Sequence, residues 1–469
     1  MKKVKIFLSL LLILSILVIP SVNAAAKVVK WSPSNDLLMN FPYSNEEAIK
    51  SLGISGQEYS NQAMLLVNAD TGTVLYSQNA DKKYYPASTT KIMTCLLALE
   101  IVEDIDATEI TAKSSLFNEF YGIDISTAGI VGGETLTVRQ LLYCMLLQSA
   151  NEAASIIADY LGNGSRETFA QMMTQRAKEL GCKNTNFVNA HGLQDENHYT
   201  TAHDLYLIAS EAMKYDVFRE IISTSSYKLT TNKRTGAWLT TTNSLIRKDS
   251  KYYYSPVCGI KTGTTTPAGR CLVSYASSEG YNYLCVMLNT PYKDSEGKVY
   301  SDNFAFMETK ELYKWAFSNF EIKTVISEDE TVGEIPVKYS DETDFVLLNP
   351  AEKIEALIPS SADVSSIQRI VEPSYTELEA PIKAGSKVGT ITLRLNGQTV
   401  AVVDAVAAQD IERSELLYYI DIAKNVITSK WFLLGAGAIF FFLAVYIIIA
   451  ISSNNRRKRR RRRSARRRY

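Results

Sequence analysis

Trp431 to Ile451 is a run of 21 residues without a charge, and no stretch of this chain leaves fewer conformations open. Inside hydrocarbon every backbone N–H and C=O needs a partner within the protein, which a lone spanning segment achieves only as a helix. At about 1.5 Å per residue that helix covers roughly 30 Å, the apolar thickness of a bilayer. Arg456 to Arg468 follow with 11 Arg or Lys and no acid. The positive-inside rule places such a tail in the cytoplasm, so the bulk of the chain lies outside.

The amino terminus agrees with export. Lys2, Lys3 and Lys5, the apolar run Ile6 to Ile19 and the small-residue site Val22-Asn23-Ala24 predict a secretory signal peptide over 1–24. The balanced total of 50 basic and 50 acidic residues is therefore misleading: without the 11 tail cations and the three leader lysines, 36 basic residues face 50 acidic ones, a net charge of about −14 outside. The tail reads as a topology device that touches anionic lipid, at about 1 kcal/mol per basic residue near the surface, and not as a nucleic-acid site. Six cysteines, from Cys95 to Cys285, form no C-x-x-C pair, so zinc is not expected; buried free thiols are, with one disulfide left open.

With 469 residues, 46% hydrophobic and 21% charged, the chain suits two to three folded domains. The expected organisation is a main domain of helices and strands over 25–324, a β domain over 325–410, a juxtamembrane helix over 411–430, a transmembrane helix over 431–451 and a cytoplasmic tail over 452–469. Ala63 to Asn79 predicts a hairpin around Asp70-Thr71-Gly72, followed by a helix from Lys91 to Glu100. Thr137 and Gln140 form a capping box ahead of a second helix ending at Gln148, and a third follows Asn151. From Cys258 three strands alternate with turns as an antiparallel meander, and AFMETKELYKWAF closes the region as a helix. Farther on, Asn396-Gly397 predicts a two-residue hairpin turn in the β domain.

The chemistry begins at YPASTTKIMT, Tyr85 to Thr94. Ser88 and Lys91 are three apart and share a helix face behind Pro86, so a serine–lysine dyad is geometrically allowed. The lysine acts as a base only if burial and a second cation depress its pKa. S-x-x-K alone is weak evidence, since Ser225 to Lys228 and Ser295 to Lys298 also match. Lys261 in GIKTGTT is the candidate second cation. On a strand Lys261 and Gly263 face one way and Thr262 the other, and the glycine leaves room for a peptide-like ligand to approach as an added strand. Ser149-x-Asn151, between two helices, supplies a third element; a literal Ser301-Asp302-Asn303 exists too, but chain order favours Ser149.

PASTTK, SAN and KTG in that order resemble the low-molecular-mass penicillin-binding proteins, the serine-type D-alanyl-D-alanine carboxypeptidases. The resemblance extends to NADTGTVLYSQNADKKYYPASTTK, FVNAHGLQDENHYTTAHDLYLIA and GIKTGTTTPAGRCLV and covers most of residues 60–410. It implies an α/β (α+β) penicillin-binding/β-lactamase-like transpeptidase fold, an antiparallel sheet flanked by helices with a small C-terminal all-β domain. It also implies that Ser88 attacks the penultimate D-alanine carbonyl of a peptidoglycan stem peptide, that Lys91 takes its proton and that Ser149 relays it to the leaving D-alanine. Asn151 then positions the substrate amide, and Lys261 and Thr262 hold the terminal carboxylate. The N–H groups of Ser88 and Thr264 make the oxyanion hole, where one donor is worth about 3 to 4 kcal/mol. β-Lactam antibiotics are the implied covalent inhibitors.

No cofactor is expected. His191, His198 and His203 are spaced as metal ligands can be, but loop and cap hydrogen bonding is the expectation for them. A Ser-His-Asp triad lacks its G-x-S-x-G elbow. The alternatives are a class A-like β-lactamase, whose deacylating E-x-x-L-N glutamate is missing between Asn151 and Lys261, and a non-catalytic penicillin-binding scaffold or sensor. The apolar run is also long enough to cross, a departure from those family members that carry an amphipathic surface helix at this end.

The topology has a direct test. Protease applied outside intact cells should spare a tag fused after Tyr469; loss of the tag would reverse the orientation.

Overall fold

A computed structural model describes residues 46–465, so the signal-peptide expectation for 1–24 lies outside the described residues. The chain divides into two compact units: the first runs to Val325 and includes Glu355–Gln368 and Leu393–Val402, and the second comprises Ile326–Ile354, Arg369–Thr392 and the chain from Val403.

In the first unit α1 (Gly56–Asn61) starts at a complete capping box between Ser55 and Glu58. The expected hairpin follows as β1 (Ala63–Asn68) and β2 (Val74–Gln78). Its turn closes on Asn68, whose Oδ1 accepts from the Thr71 N–H and hydroxyl at 2.9 Å each, with Gly72 at φ 70°. After a 3₁₀ turn at Ala87–Thr90 comes α2 (Lys91–Ile101), buried at every position from Lys91 to Ala98. A helix apolar on all sides belongs in the core, and it carries Lys91 there with it.

Next come α3 (Val138–Leu147), α4 (Asn151–Leu161), α5 (Arg166–Glu179), α6 (Ala202–Ala212) and α7 (Asp216–Ser223). Both arms of the Thr137–Gln140 capping box are made, at 3.0 and 3.2 Å. The meander is β3 (Val257–Thr265), β4 (Gly269–Ser278) and β5 (Tyr281–Thr290), and α8 (Phe304–Asn319) follows it. The sheet order is β2-β1-β5-β4-β3, with each described pairing antiparallel. β1 is buried throughout and β5 nearly so, because both faces of these inner strands are covered. β3, which carries Lys261, is an edge strand of this sheet.

The later strands are β6 (Phe320–Ile326), β7 (Gly333–Lys338), β8 (Phe345–Pro350), β9 (Ile354–Pro359), β10 (Gln368–Pro373), β11 (Leu378–Glu379), β12 (Lys387–Leu395) and β13 (Gln398–Ala407). β6 pairs with β9, and the others form a six-stranded sheet of order β10-β12-β13-β8-β7-β11. Asn396 and Gly397 turn between β12 and β13 with φ of 49° and 80°, as a two-residue hairpin with both residues left-handed requires. Ile335, Val346, Leu348, Val388 and Ile411 build a separate small core in the second unit.

α9 (Glu415–Thr428) is held to that unit by Tyr339, whose hydroxyl donates to Asp421 at 2.9 Å and whose ring meets Tyr418 edge-on. α10 (Lys430–Ala465) takes in the whole apolar run and continues into the basic tail; Lys430–Lys458 is long and apolar enough to cross a membrane, by length and composition.

Candidate active site

The 3₁₀ turn sets the first distance. In that geometry side chains three apart nearly eclipse, so Ser88 stands directly over Lys91. Lys91 Nζ is 3.0 Å from Ser88 Oγ, 2.7 Å from Asn151 Oδ1 and 2.5 Å from the His191 carbonyl. Three acceptors match the three protons of an ammonium. When the amine is neutral it has two N–H groups, and the carbonyls of Asn151 and His191 can only accept. They take both, which leaves the nitrogen lone pair for the Ser88 hydroxyl proton.

The electrostatics favour that neutral form. Lys91 is fully buried, and burial first, then the charge of Lys261, hold its pKa well below the ordinary lysine value, against an opposing pull from Glu152. Lys261 is itself buried at 1% exposure, and burial lowers its pKa to about 7. The expected second cation is thus in place, and it is only partly charged near neutrality.

The turn that presents Ser88 is wedged between two glycines. A Cβ on Gly263 would lie 2.9 Å from the Ser88 nitrogen and 3.2 Å from the Pro86 carbonyl oxygen. A Cβ on Gly192, whose φ is +87°, would lie 1.9 Å from the Ala87 carbonyl oxygen. Gly263 therefore admits the Ser88 backbone itself, a task the sequence reading did not assign it. Ala87 is left-handed at φ 48°, a conformation costing a non-glycine on the order of 1 kcal/mol. Thr90 Oγ1 holds it by donating to the Ala87 carbonyl at 2.8 Å, and His198 Nε2 lies 2.8 Å from the same hydroxyl. Val188 N–H donates to His198 Nδ1 at 3.1 Å, so the ring is neutral with its proton on Nε2; burial pushes its pKa down to about 3.

The other histidines go elsewhere. His191 Nδ1 accepts from Leu193 N–H at 3.2 Å and its Nε2 lies 3.8 Å from Glu119, while His203 on α6 lies 3.3 Å from Asp81. Loop bonding accounts for His191 and His198, as expected. The six cysteines are free thiols, Cys258 half-buried and the rest buried.

Asn151 begins α4, and its N–H donates to Ser126 at 2.9 Å. Its neighbour Glu152 accepts from Thr127 Oγ1 at 2.6 Å and from the Ala128 N–H at 2.7 Å, pinning the loop beside the site. Ser149, 4% exposed and left-handed at φ 61°, sits two residues before Asn151; among the described residues its hydroxyl makes no hydrogen bond. On β3 burial alternates from Lys261 to Thr264, with Lys261 and Gly263 inward. Lys261 Nζ donates to the Thr262 carbonyl at 2.9 Å, and Thr264 Oγ1 to the Gly263 carbonyl at 2.8 Å.

The competing motifs separate by position. Ser225, Lys228, Ser295 and Lys298 are all exposed, and Asn303 caps α8 by accepting from Phe306 N–H at 3.4 Å. Sequence reasoning missed the His191 carbonyl and Gly192. The available signal was Asn189 three residues before Gly192, an Asx turn in which Asn189 Oδ1 accepts from Gly192 N–H at 2.7 Å.

Two stretches of the chain match known families. Residues 50–292 match the D-alanyl-D-alanine carboxypeptidase family, and 320–413 match the C-terminal domain of penicillin-binding protein 5. The chain is 31% identical over 363 residues to the D-alanyl-D-alanine carboxypeptidase DacF of Bacillus subtilis (strain 168), covering 76% of this chain and 88% of that one. It is 30% identical over 359 residues to DacC of Escherichia coli (strain K12), covering 75% and 84%. The crystal structure of penicillin binding protein 5 from Haemophilus influenzae superposes with a TM-score of 0.58 at 25% identity, covering 75% of this chain and 97% of that one.

Burying Lys261 has a thermodynamic signature. Its folded pKa of about 7 lies below the unfolded 10.5, so between those values the unfolded chain binds more protons and stability rises with pH. Lys261→Met removes a penalty on the order of a few kcal/mol at pH 7. The variant should melt higher than the parent at pH 7, with the gap closing by about pH 10; thermal melts at both pH values check this, and a pH-independent gap would contradict it.

Proposed function

This chain belongs to the D-alanyl-D-alanine carboxypeptidase family, and on that premise we propose that Ser88 and Lys91 are the nucleophile and base with which it removes the terminal D-alanine from peptidoglycan stem pentapeptides. The observation that carries the assignment is the Lys91 amine held between Ser88 Oγ, Asn151 Oδ1 and the His191 carbonyl, out of water.

The Ser88 hydroxyl proton passes to Lys91 Nζ as Oγ bonds to the penultimate D-alanine carbonyl carbon. The negative oxygen that forms is met by the N–H groups of Ser88 and Thr264, fixed donors that need no reorganisation. The proton returns through Ser149 to the amine of the terminal D-alanine, which leaves, and water then cleaves the acyl-serine ester. Asn151 orients the substrate amide, while Lys261 and Thr262 hold the departing carboxylate. A substrate carboxylate beside Lys261 favours its charged form, so the bound state restores the cation that burial weakens. The peptide backbone lies along edge strand β3 past Gly263.

The likenesses favour a carboxypeptidase over a class A-like β-lactamase, and β-lactams would act as covalent inhibitors at Ser88. In this reading the catalytic domain spans 25–324 and the β domain 325–410. The helix of 411–430 leads to a single anchor at 431–451, with the catalytic domain outside and the tail of 452–469 on anionic lipid.

Incubation with benzylpenicillin should leave a penicilloyl adduct on the Ser88 peptide that persists for minutes, is absent in Ser88→Ala and blocks D-alanine release from a pentapeptide. Rapid penicillin turnover without an adduct would restore the β-lactamase reading. Lys91→Arg keeps the charge but not the readily lost proton. It should abolish acylation while circular dichroism stays unchanged; acylation at the parent rate would mean that another group takes the proton.

A further inference from the structure

We propose that Thr242 is a positioning residue for the carboxylate end of the cleft: its hydroxyl donates to Thr262 Oγ1 and so leaves the Thr262 proton for the substrate's terminal carboxylate. The inference rests on the carboxylate role proposed above for Thr262.

Thr242 Oγ1 lies 2.6 Å from Thr262 Oγ1, close enough that one hydroxyl commits its only proton to the other. The Thr242 N–H donates to the Leu147 carbonyl at 3.0 Å, at the end of α3 and two residues before Ser149. One residue thus joins the Lys-Thr-Gly strand to the turn that carries Ser149 and Asn151. Its neighbours lock it in place: Thr241 and Asn243 are 6% and 2% exposed, and Thr241 N–H donates to the Ser225 carbonyl at 2.9 Å. Between them the Thr242 side chain is exposed.

The direction of the bond follows from the ligand. A carboxylate only accepts hydrogen bonds, whereas each hydroxyl holds a single proton. If Thr262 donates to Thr242 it has nothing left for the carboxylate; if Thr242 donates, the Thr262 proton is free and the two bonds reinforce each other. An ester or amide carbonyl accepts that proton too, but the bond to an ionised carboxylate is about twice as strong, so Thr242 favours the free acid by degree, without adding charge beside Lys261.

The test measures acylation of Ser88 in the detergent-solubilised full chain by benzylpenicillin and by its methyl ester. Loss of the Thr242 hydroxyl in Thr242→Val should weaken apparent affinity for benzylpenicillin about fivefold, the scale of one net hydrogen bond, with the limiting acylation rate within twofold. The methyl ester should lose clearly less affinity than the acid, Thr242→Ser should restore the acid's affinity, and Thr242→Val should add nothing on a Thr262→Val background. No loss with the acid, equal losses with acid and ester, or additive losses in the double variant would overturn the proposal. Failure of the unmutated chain to acylate at Ser88 would instead strike at the function proposed above.

Discussion

The site depends on one amine kept out of water. Lys91 lies in a helix buried on all sides, and its nitrogen meets two carbonyls that can only accept and one hydroxyl that can also give. That arrangement leaves the lone pair of a neutral Lys91 facing the Ser88 hydroxyl, and the proposed role of the lysine as base rests on it. Burial does most of the work on its pKa and Lys261 adds to it. Both lysines then weigh against the folded state near neutrality, a cost that the apolar packing of the first unit must exceed.

An amine aimed at one hydroxyl can serve the proposed proton transfer only if that hydroxyl stays put. The Ser88 turn is held on one side by Gly192 and on the other by Gly263, each close enough that a methyl group would displace backbone. Ala87 is consequently held in a left-handed conformation, and the chain from Val188 through His198 and Thr90 to the Ala87 carbonyl fixes it there. Rigid support around a strained residue is how a fold keeps a reactive group in one geometry. The neutral His198 serves this purpose, a structural part for a buried histidine beside Ser88 and Lys91.

Much of this was legible in the chain itself, for identifiable reasons. Period-two patterning and turn residues marked the hairpin at Asp70-Thr71-Gly72, the β3–β5 meander and the Asn396-Gly397 turn, because those signals are local. The Thr137–Gln140 capping box marked α3 for the same reason. The Ser88–Lys91 spacing is shared by Ser225–Lys228 and Ser295–Lys298, and burial is what separates them in the fold.

By itself the sequence determined the apolar 21-residue run, the basic tail, the element types and the residue kinds able to form a serine–lysine site. These depend on periodicity, composition and short spacings, which need no knowledge of distant contacts. Only the tertiary structure decided that the His191 carbonyl would complete the Lys91 environment, that Gly263 would make room for the Ser88 backbone and that Thr242 would meet Thr262. Each of those contacts joins residues 20 to 175 positions apart, so local spacing could mark a turn near one partner but not which distant residue would meet it.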